Sequence, residues 1–310
     1  MDAANVDLSE DKKTRTAKFF AQARDAASRG DLDGYASAVD AAFRLRPFML
    51  HPLPRGPQTY TKASLEHMRK RALALIERRV AYSPMILSVA FAEAKLGNRG
   101  EVERLVDYER FFSVQRSIVP EFPDFFDAIS AEIKTKLHYF GEPKTAERTI
   151  HNAFRHENVF QTERPAIQAL RQEVRRRVEA YIAELPKDAQ HPFVTSCPDD
   201  YVIEAWAVVS QDEGYHDIHI HPRAWLSGVY YIKRPDVSTD PKVKAGWLKV
   251  GAPPTIDEGD GWGERNIEPI PGTLVLMPGY FLHSSIPSQS AQERICIAFD
   301  VVPKRVAETV

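Results

Sequence analysis

The sequence changes its periodicity once, at Pro186, and that change constrains the fold more than any other feature. Before it, apolar residues recur at spacings of three and four. After it come short β-branched and aromatic runs: "YVIEAWAVV", "WLSGVYYIK", "GWLKV", "GTLVLM" and "RICIAFDVV", separated by Gly, Pro and Asp turns. The first pattern predicts helices and the second predicts an all-β half of the sandwich or jelly-roll kind. In the helical stretch, from about residue 9 to 185, a capping signal at Ser9 opens a helix that ends at Gly30, and a second is closed by Pro47. A Pro-rich loop, "RPFMLHPLPRGPQTYT", follows, and then "KASLEHMRKRALALIERRVAYSP". "MILSVAFAEAKLGNRGEVERLVDYERFF" has the small residues and Gly turn of a tetratricopeptide-type helical pair, without a clean repeat along the chain. In the last long helix Ile167, Leu170, Val174, Val178, Ile182 and Leu185 share one face. Arg171, Arg175, Arg176 and Arg177 lie mostly off it, as a solvated face or a phosphate-binding one.

Composition narrows the function. Hydrophobic residues make up 43 % of 310, enough for a sizeable core, and a formal charge of −2 gives no field for nucleic acid or an anionic membrane. Two cysteines, Cys197 and Cys296, make neither a disulfide framework nor a zinc-finger spacing. No apolar run reaches the ~20 residues of a membrane span, and "MDAANVDLSEDKKTR" lacks a signal-peptide core. A cytoplasmic protein is expected.

The chemistry concentrates in "GYHDIHIHPRAWLSGVYYI", where His216, His219 and His221 precede a strand. Residues two apart on a strand point the same way, so His219 and His221 should face one side together with Asp217, and His216 the other. Two imidazoles on one side can meet one metal ion, and His283, after a buried strand and a Pro-Gly turn, is the candidate third ligand. The alternative is three histidines satisfied by backbone. Arg294 opens the strand "RICIAFDVV" and shares a face with Cys296 and Ala298. If that face is interior, the guanidinium needs an anion, and a carboxylate suits its geometry. If not, it is an ordinary surface Arg. Trp206 and Trp225 read as packing or pocket wall.

Taken together, the HxH before "WLSGVYYI", the later "PGTLVLMP" with "LH", and the Arg of "ERICIAF" resemble the iron(II)/2-oxoglutarate-dependent oxygenases over roughly residues 160 to 303. The resemblance implies an α+β chain: an N-terminal α-helical domain over 1–160, then a double-stranded β-helix (jelly roll) over 161–310 led by a support helix. It implies Fe(II) and 2-oxoglutarate as cofactors, with His219 and His283 as ligands and His221 in the place usually held by a carboxylate. Asp217 is the other candidate for that carboxylate, though it precedes His219. Arg294 is implied to read the distal carboxylate of 2-oxoglutarate, with Tyr231 as a hydroxyl donor and Ser227 on the same strand face. Three neutral imidazoles would leave Fe(II) doubly positive, which favours the cosubstrate dianion. A filled ligand position argues against halogenation.

The implied reaction consumes O₂, decarboxylates 2-oxoglutarate to succinate and hydroxylates an unactivated C–H. The substrate is a small molecule, an amino acid or a peptidyl side chain; "HNAFRHENVFQTERP" and the loop of residues 235–271 are the expected pocket edges. The helical part is expected to dock substrate or partner, or to dimerise, and to hold no catalytic residue. Two other readings stay open. A cupin shares HxH and a later His, but many cupins carry Glu four residues after the second His, where this chain has Trp225. A non-catalytic binding or sensor protein would use the β half as scaffold.

Overall fold

The computed structural model describes residues 3–47, 60–119, 122–135, 138–140, 149–253, 255–256 and 260–304. Most of the Pro-rich loop lies outside them. The described helices are α1 (Ala3–Ser28), α2 (Leu32–Leu45), α3 (Lys62–Glu77), α4 (Tyr82–Lys95), α5 (Arg99–Leu105), α6 (Tyr108–Phe111), α7 (Phe125–Lys134), α8 (Pro165–Ala183) and α9 (Pro192–Thr195). The strands are β1 (Ser113–Arg116), β2 (His138–Phe140), β3 (Ile150–His156), β4 (Tyr201–His216), β5 (Leu226–Lys233), β6 (Leu248–Gly251), β7 (Glu264–Ile267), β8 (Thr273–Pro278), β9 (His283–Ser285) and β10 (Ser290–Pro303).

The β half is antiparallel and forms two sheets: a seven-stranded one in the order β1-β8-β5-β10-β4-β3-β2, and a three-stranded one in the order β7-β6-β9. This is the expected α+β arrangement of helices and a double-stranded β-helix. Each of the five strand runs read from sequence lies in β4, β5, β6, β8 or β10. The helical periodicity of residues 9–185 is interrupted, however. β1, β2 and β3 fall inside it and extend both edges of the main sheet, so that sheet draws on residues either side of position 160. These strands are short or edge segments, whose pairing depends on a distant partner and leaves little periodicity to read.

Helices pack in consecutive pairs, α1 with α2 and α3 with α4. α2 buries Ala36, Val39, Ala42 and Phe43, an amphipathic stripe, while α4 is buried from Ser83 to Ala94, as befits a helix apolar on every side. Thr61 and Ser64 close a reciprocal capping box at the start of α3. α8 has no side-chain cap of its own; the Glu132 carboxylate of α7 accepts from the main-chain N–H groups of Ala166 and Ile167 instead. The apolar face of α8 is buried at Ile167, Leu170, Val174 and Val178 as the spacing predicts, with Ile182 and Leu185 partly buried against it. The arginine run is largely a matter of ion pairs: Arg176 and Arg177 both reach Glu173 at 2.8 Å. Burial would raise the Glu173 carboxyl, but hydrogen bonds from Arg176, Ser117 and Arg177 hold it down to about 2.

Helices and sheets share one continuous core, which includes Leu87, Phe91 and Ile129 from the helices and Tyr230, Leu276 and Phe299 from the main sheet. Gly228 is required where β5 passes the Phe299 ring, since a Cβ there would come within 2.3 Å of the ring. No helix among the described residues is long and apolar enough to cross a membrane.

Candidate metal centre and cosubstrate pocket

His219 and His221 follow β4 on a short irregular segment, and His283 begins β9. Main-chain bonds hold these two segments together: His219 N–H donates to the His283 carbonyl at 2.9 Å, His283 N–H returns to the His219 carbonyl at 3.0 Å, and His221 N–H donates to the Gly279 carbonyl at 2.9 Å. Close passage of the segments requires Gly279, because a Cβ there would meet the Ala224 carbonyl at 2.2 Å. The three imidazoles converge, with ring centroids 4.3 Å (His219–His283), 5.0 Å (His221–His283) and 5.3 Å (His219–His221) apart. One ligand nitrogen from each can be chosen so that all lie within 4.8 Å of one another.

The ring nitrogens sort themselves. His219 Nδ1 lies 2.6 Å from the Asp217 carbonyl, His283 Nδ1 lies 2.9 Å from the Phe281 carbonyl, and His221 Nδ1 lies 2.6 Å from Asp300 Oδ1. With Nδ1–H donating to a main-chain carbonyl, His219 and His283 each keep the Nε2 lone pair, and Nε2 of His221 and His283 are 3.2 Å apart. Two lone pairs at that separation repel unless something positive sits between them. Burial pushes the His283 imidazole well below its usual range, and neighbouring His219 and His221 push it further, so the ring stays neutral. A pre-oriented trio of imidazoles fits a borderline divalent metal such as Fe(II).

These histidines lie in a cavity of about 430 Å³. Arg294, Tyr231, Ser227 and Cys296 line it too, so the strand-face reading of β5 and β10 holds. Arg294 is 2 % exposed, and among the described residues no carboxylate pairs with it. Its contacts are neutral: Nε donates to Ser210 Oγ at 3.2 Å, and the terminal nitrogens to the Gly246 carbonyl at 3.0 Å and Ser285 Oγ at 3.4 Å. A buried cation solvated only by neutral acceptors costs several kcal/mol until an anion joins it. Tyr231 is buried beside it, its phenol pushed above the usual range by burial and so held protonated as a donor. Ser227 Oγ donates to the Phe299 carbonyl at 3.4 Å, leaving oxygen lone pairs free.

Two strand-parity expectations fail. His216 was expected on the opposite face, yet it lines the cavity with its ring 5.9 Å from that of His219. Asp217 was expected beside the imidazoles, but its carboxylate is bonded to His151 Nε2 at 2.8 Å. The reason is local: β4 ends at His216 and the chain bends at Ile218, which resets the alternation before His219. Sequence reading passed over Ser210, Ser285, Asp300 and the mouth residues Arg223 and Glu204, whereas Trp206, read as packing or pocket wall, does line the mouth. Only Ser210 had a usable signal, as the register partner of Arg294 on an adjacent strand. Of the expected pocket edges, the 151–165 segment supplies Arg155, Glu157 and Asn158, and the 235–271 loop supplies Leu248. Trp225 sits away from the cavity, its indole N–H donating to the Phe193 carbonyl.

Residues 204–300 match the family model described as "Putative 2OG-Fe(II) oxygenase", a span that contains all three histidines and Arg294. The matched span is a 2OG-Fe(II) oxygenase domain. Its cofactors are Fe(II) and 2-oxoglutarate. Similar solved structures include a prolyl-4-hydroxylase from Pseudomonas putida (15 % identity, TM-score 0.44, covering 68 % of this chain and 98 % of that one). A Trichoplax adhaerens prolyl hydroxylase in complex with a hypoxia inducible factor peptide fragment is 12 % identical, with a TM-score of 0.43 and coverage of 70 % and 93 %. HygX from Streptomyces hygroscopicus, with nickel and 2-oxoglutarate bound, is 11 % identical, with a TM-score of 0.41 and coverage of 65 % and 86 %. No curated protein sequence matches the chain.

Proposed function

We propose that this oxygenase hydroxylates an unactivated C–H of a small-molecule or peptidyl substrate, with Fe(II) held by His219, His221 and His283 and 2-oxoglutarate anchored by Arg294. The observation that carries the reading is Arg294: a buried guanidinium with no carboxylate partner among the described residues, in the same cavity as three converging imidazoles. Tyr231 supplies a second donor to the same carboxylate, and Ser227 lines the wall beside it. When bound, the iron and cosubstrate supply an oxidation in which 2-oxoglutarate, O₂ and R–H become succinate, CO₂ and R–OH. The chain's own part is to orient and to exclude water. Its histidines fix the ligand side and Arg294 fixes the far end of the dianion. The buried walls from Val229, Leu248 and Met277 keep the space dry.

Substrate enters past Trp206, Arg155 and Arg223. Arg155 lies over the Trp206 ring at 4.7 Å, and Arg223 is paired to both Glu204 oxygens at 3.0 Å. The helical layer serves as the outer support of this site and as the surface for a partner, substrate or second copy.

A cupin using the same histidines has no use for Arg294, and Trp225 is a core residue rather than a ligand. The test is succinate formation from 2-oxoglutarate by the Fe(II)-loaded full chain, with binding of 2-oxoglutarate measured beside it. Iron binding without any 2-oxoglutarate binding or turnover would favour the cupin.

A further inference from the structure

We propose that Asp300 is a positioning residue for the metal centre: its carboxylate stands against Nδ1 of His221 and supplies, one ligand away from the metal, the negative charge that an all-histidine ligand set lacks. The proposal rests on the reading that His219, His221 and His283 hold the metal.

Several observations meet on this pair. Nδ1 of His221 and Oδ1 of Asp300 are 2.6 Å apart, with both side chains largely buried. Oδ1 is buried and has no hydrogen-bond partner, so the close approach of Nδ1 is an ion-pair contact rather than a formed hydrogen bond. A buried carboxylate oxygen without a hydrogen bond is costly, and a small closure onto the His221 N–H would relieve it. The other two histidines give their Nδ1–H to neutral main-chain carbonyls, of Asp217 and Phe281. His221 faces a carboxylate, and it occupies the position where the family resemblance leads one to expect an acidic ligand.

The neighbours protect the pairing. Asp300 stands opposite Glu204 and Ser227 in the sheet register. Arg223, the nearby cation on that side, is committed to both oxygens of Glu204. The Trp206 ring stacks on His221 at 5.7 Å and 16°, which fixes the imidazole plane and leaves Nδ1 aimed at Asp300. A carboxylate on the far nitrogen of a ligand imidazole raises that ligand's basicity and fixes its tautomer. Electrostatically, three neutral imidazoles leave a divalent ion doubly positive, and Asp300 reduces the net charge of the cluster by one.

The experiment separates charge from geometry. Asp300→Asn keeps an oxygen to accept from Nδ1–H but removes the charge; Asp300→Leu removes both. Fe(II) dissociation constants measured anaerobically should rise roughly 10–100-fold in Asp300→Asn, the usual consequence of losing such a partner, and further in Asp300→Leu. The Fe(III)/Fe(II) potential should move upward in Asp300→Asn, because a lost negative charge disfavours the ferric state. The Co(II) spectrum should keep its coordination number. A purely structural role would not move the potential while leaving that spectrum alone. As a measurement free of any folding risk, the Zn(II)-loaded wild type should show a downfield Nδ1 proton assigned to His221. An Asp300→Asn protein with unchanged Fe(II) affinity and potential, or no such proton in the wild type, would overturn the proposal. If the wild type binds no Fe(II), or binds it equally after His221→Ala, the metal reading itself fails and takes this inference with it.

Discussion

Ser83, on the first turn of α4, donates its hydroxyl to the main-chain carbonyl of Ala224 across 2.5 Å, joining the helical layer to the segment that carries His221. The segment that carries His283 is tied in the same way, by Tyr280 Oη donating to the Leu105 carbonyl at 2.6 Å. Ser83→Ala strands a buried carbonyl and should destabilise the protein by about 1–3 kcal/mol. Urea midpoints measure this. Iron retention should fall in parallel, because Ala224 sits between the ligand segment and β5.

The same relationship bears on truncation. A chain beginning near Asn158 lacks Ser83, Leu105 and strands β1 and β3, which pair with β8 and β4. It is expected to lose the metal or to be insoluble. A soluble fragment that binds Fe(II) and turns over 2-oxoglutarate at the full-length rate would show the helical layer to be dispensable to the centre.

Alanine in place of His219, His221 or His283 should remove most bound iron while leaving the circular dichroism spectrum near that of the wild type. Asp217→Ala should spare the iron, since that carboxylate is engaged by His151. Metal analysis of the four variants decides this. Full occupancy in His221→Ala with loss in Asp217→Ala would reverse the ligand assignment.

Arg294→Ala should weaken 2-oxoglutarate binding by about 3–5 kcal/mol, the cost of breaking a buried charge pair, which is roughly 100-fold or more in dissociation constant. Arg294→Lys should recover part of it, because a point charge replaces a two-pronged donor. Iron content should hardly change. Calorimetric titration of 2-oxoglutarate into the iron-loaded variants checks both.

His191 gives a pH dependence separate from the metal. Both ring nitrogens are used: Nδ1 accepts from the Phe193 N–H at 3.2 Å, and Nε2–H donates to the Arg104 carbonyl at 3.0 Å. Burial pushes this imidazole down to about 4, from an ordinary value of 6.5. The unfolded chain therefore takes up its proton first. The contribution of His191 is fully present above about pH 6.5 and is lost progressively as pH falls toward 4. His191→Gln, which does not titrate, should flatten that part of the fall in melting temperature. An unchanged slope would mean the ring is not held neutral.

Much of the chemistry was legible along the chain. The β-strand cores are continuous apolar runs, and a period of two placed Ser227, Val229 and Tyr231, and likewise Arg294, Cys296 and Ala298, on one cavity-facing side. That reasoning works wherever the strand is regular. It failed at His216 and Asp217, because a bend at Ile218 breaks the alternation and no local propensity announces a bend. It missed β1 and β3 because an edge strand is held by hydrogen bonds to a partner far along the chain.

By itself, the sequence determined the division into helical and β patterning, the identity of the ligand-type residues and the presence of one cation on a β10 face. These follow from side-chain chemistry and local periodicity. Only the tertiary structure decided that Arg294 has no carboxylate partner among the described residues, that Asp300 rather than Asp217 lies against His221, and that the helices brace both histidine-bearing segments. Each of these is a contact between segments that the chain alone leaves far apart. Burial and hydrogen-bond saturation choose among such contacts only once the whole core has closed.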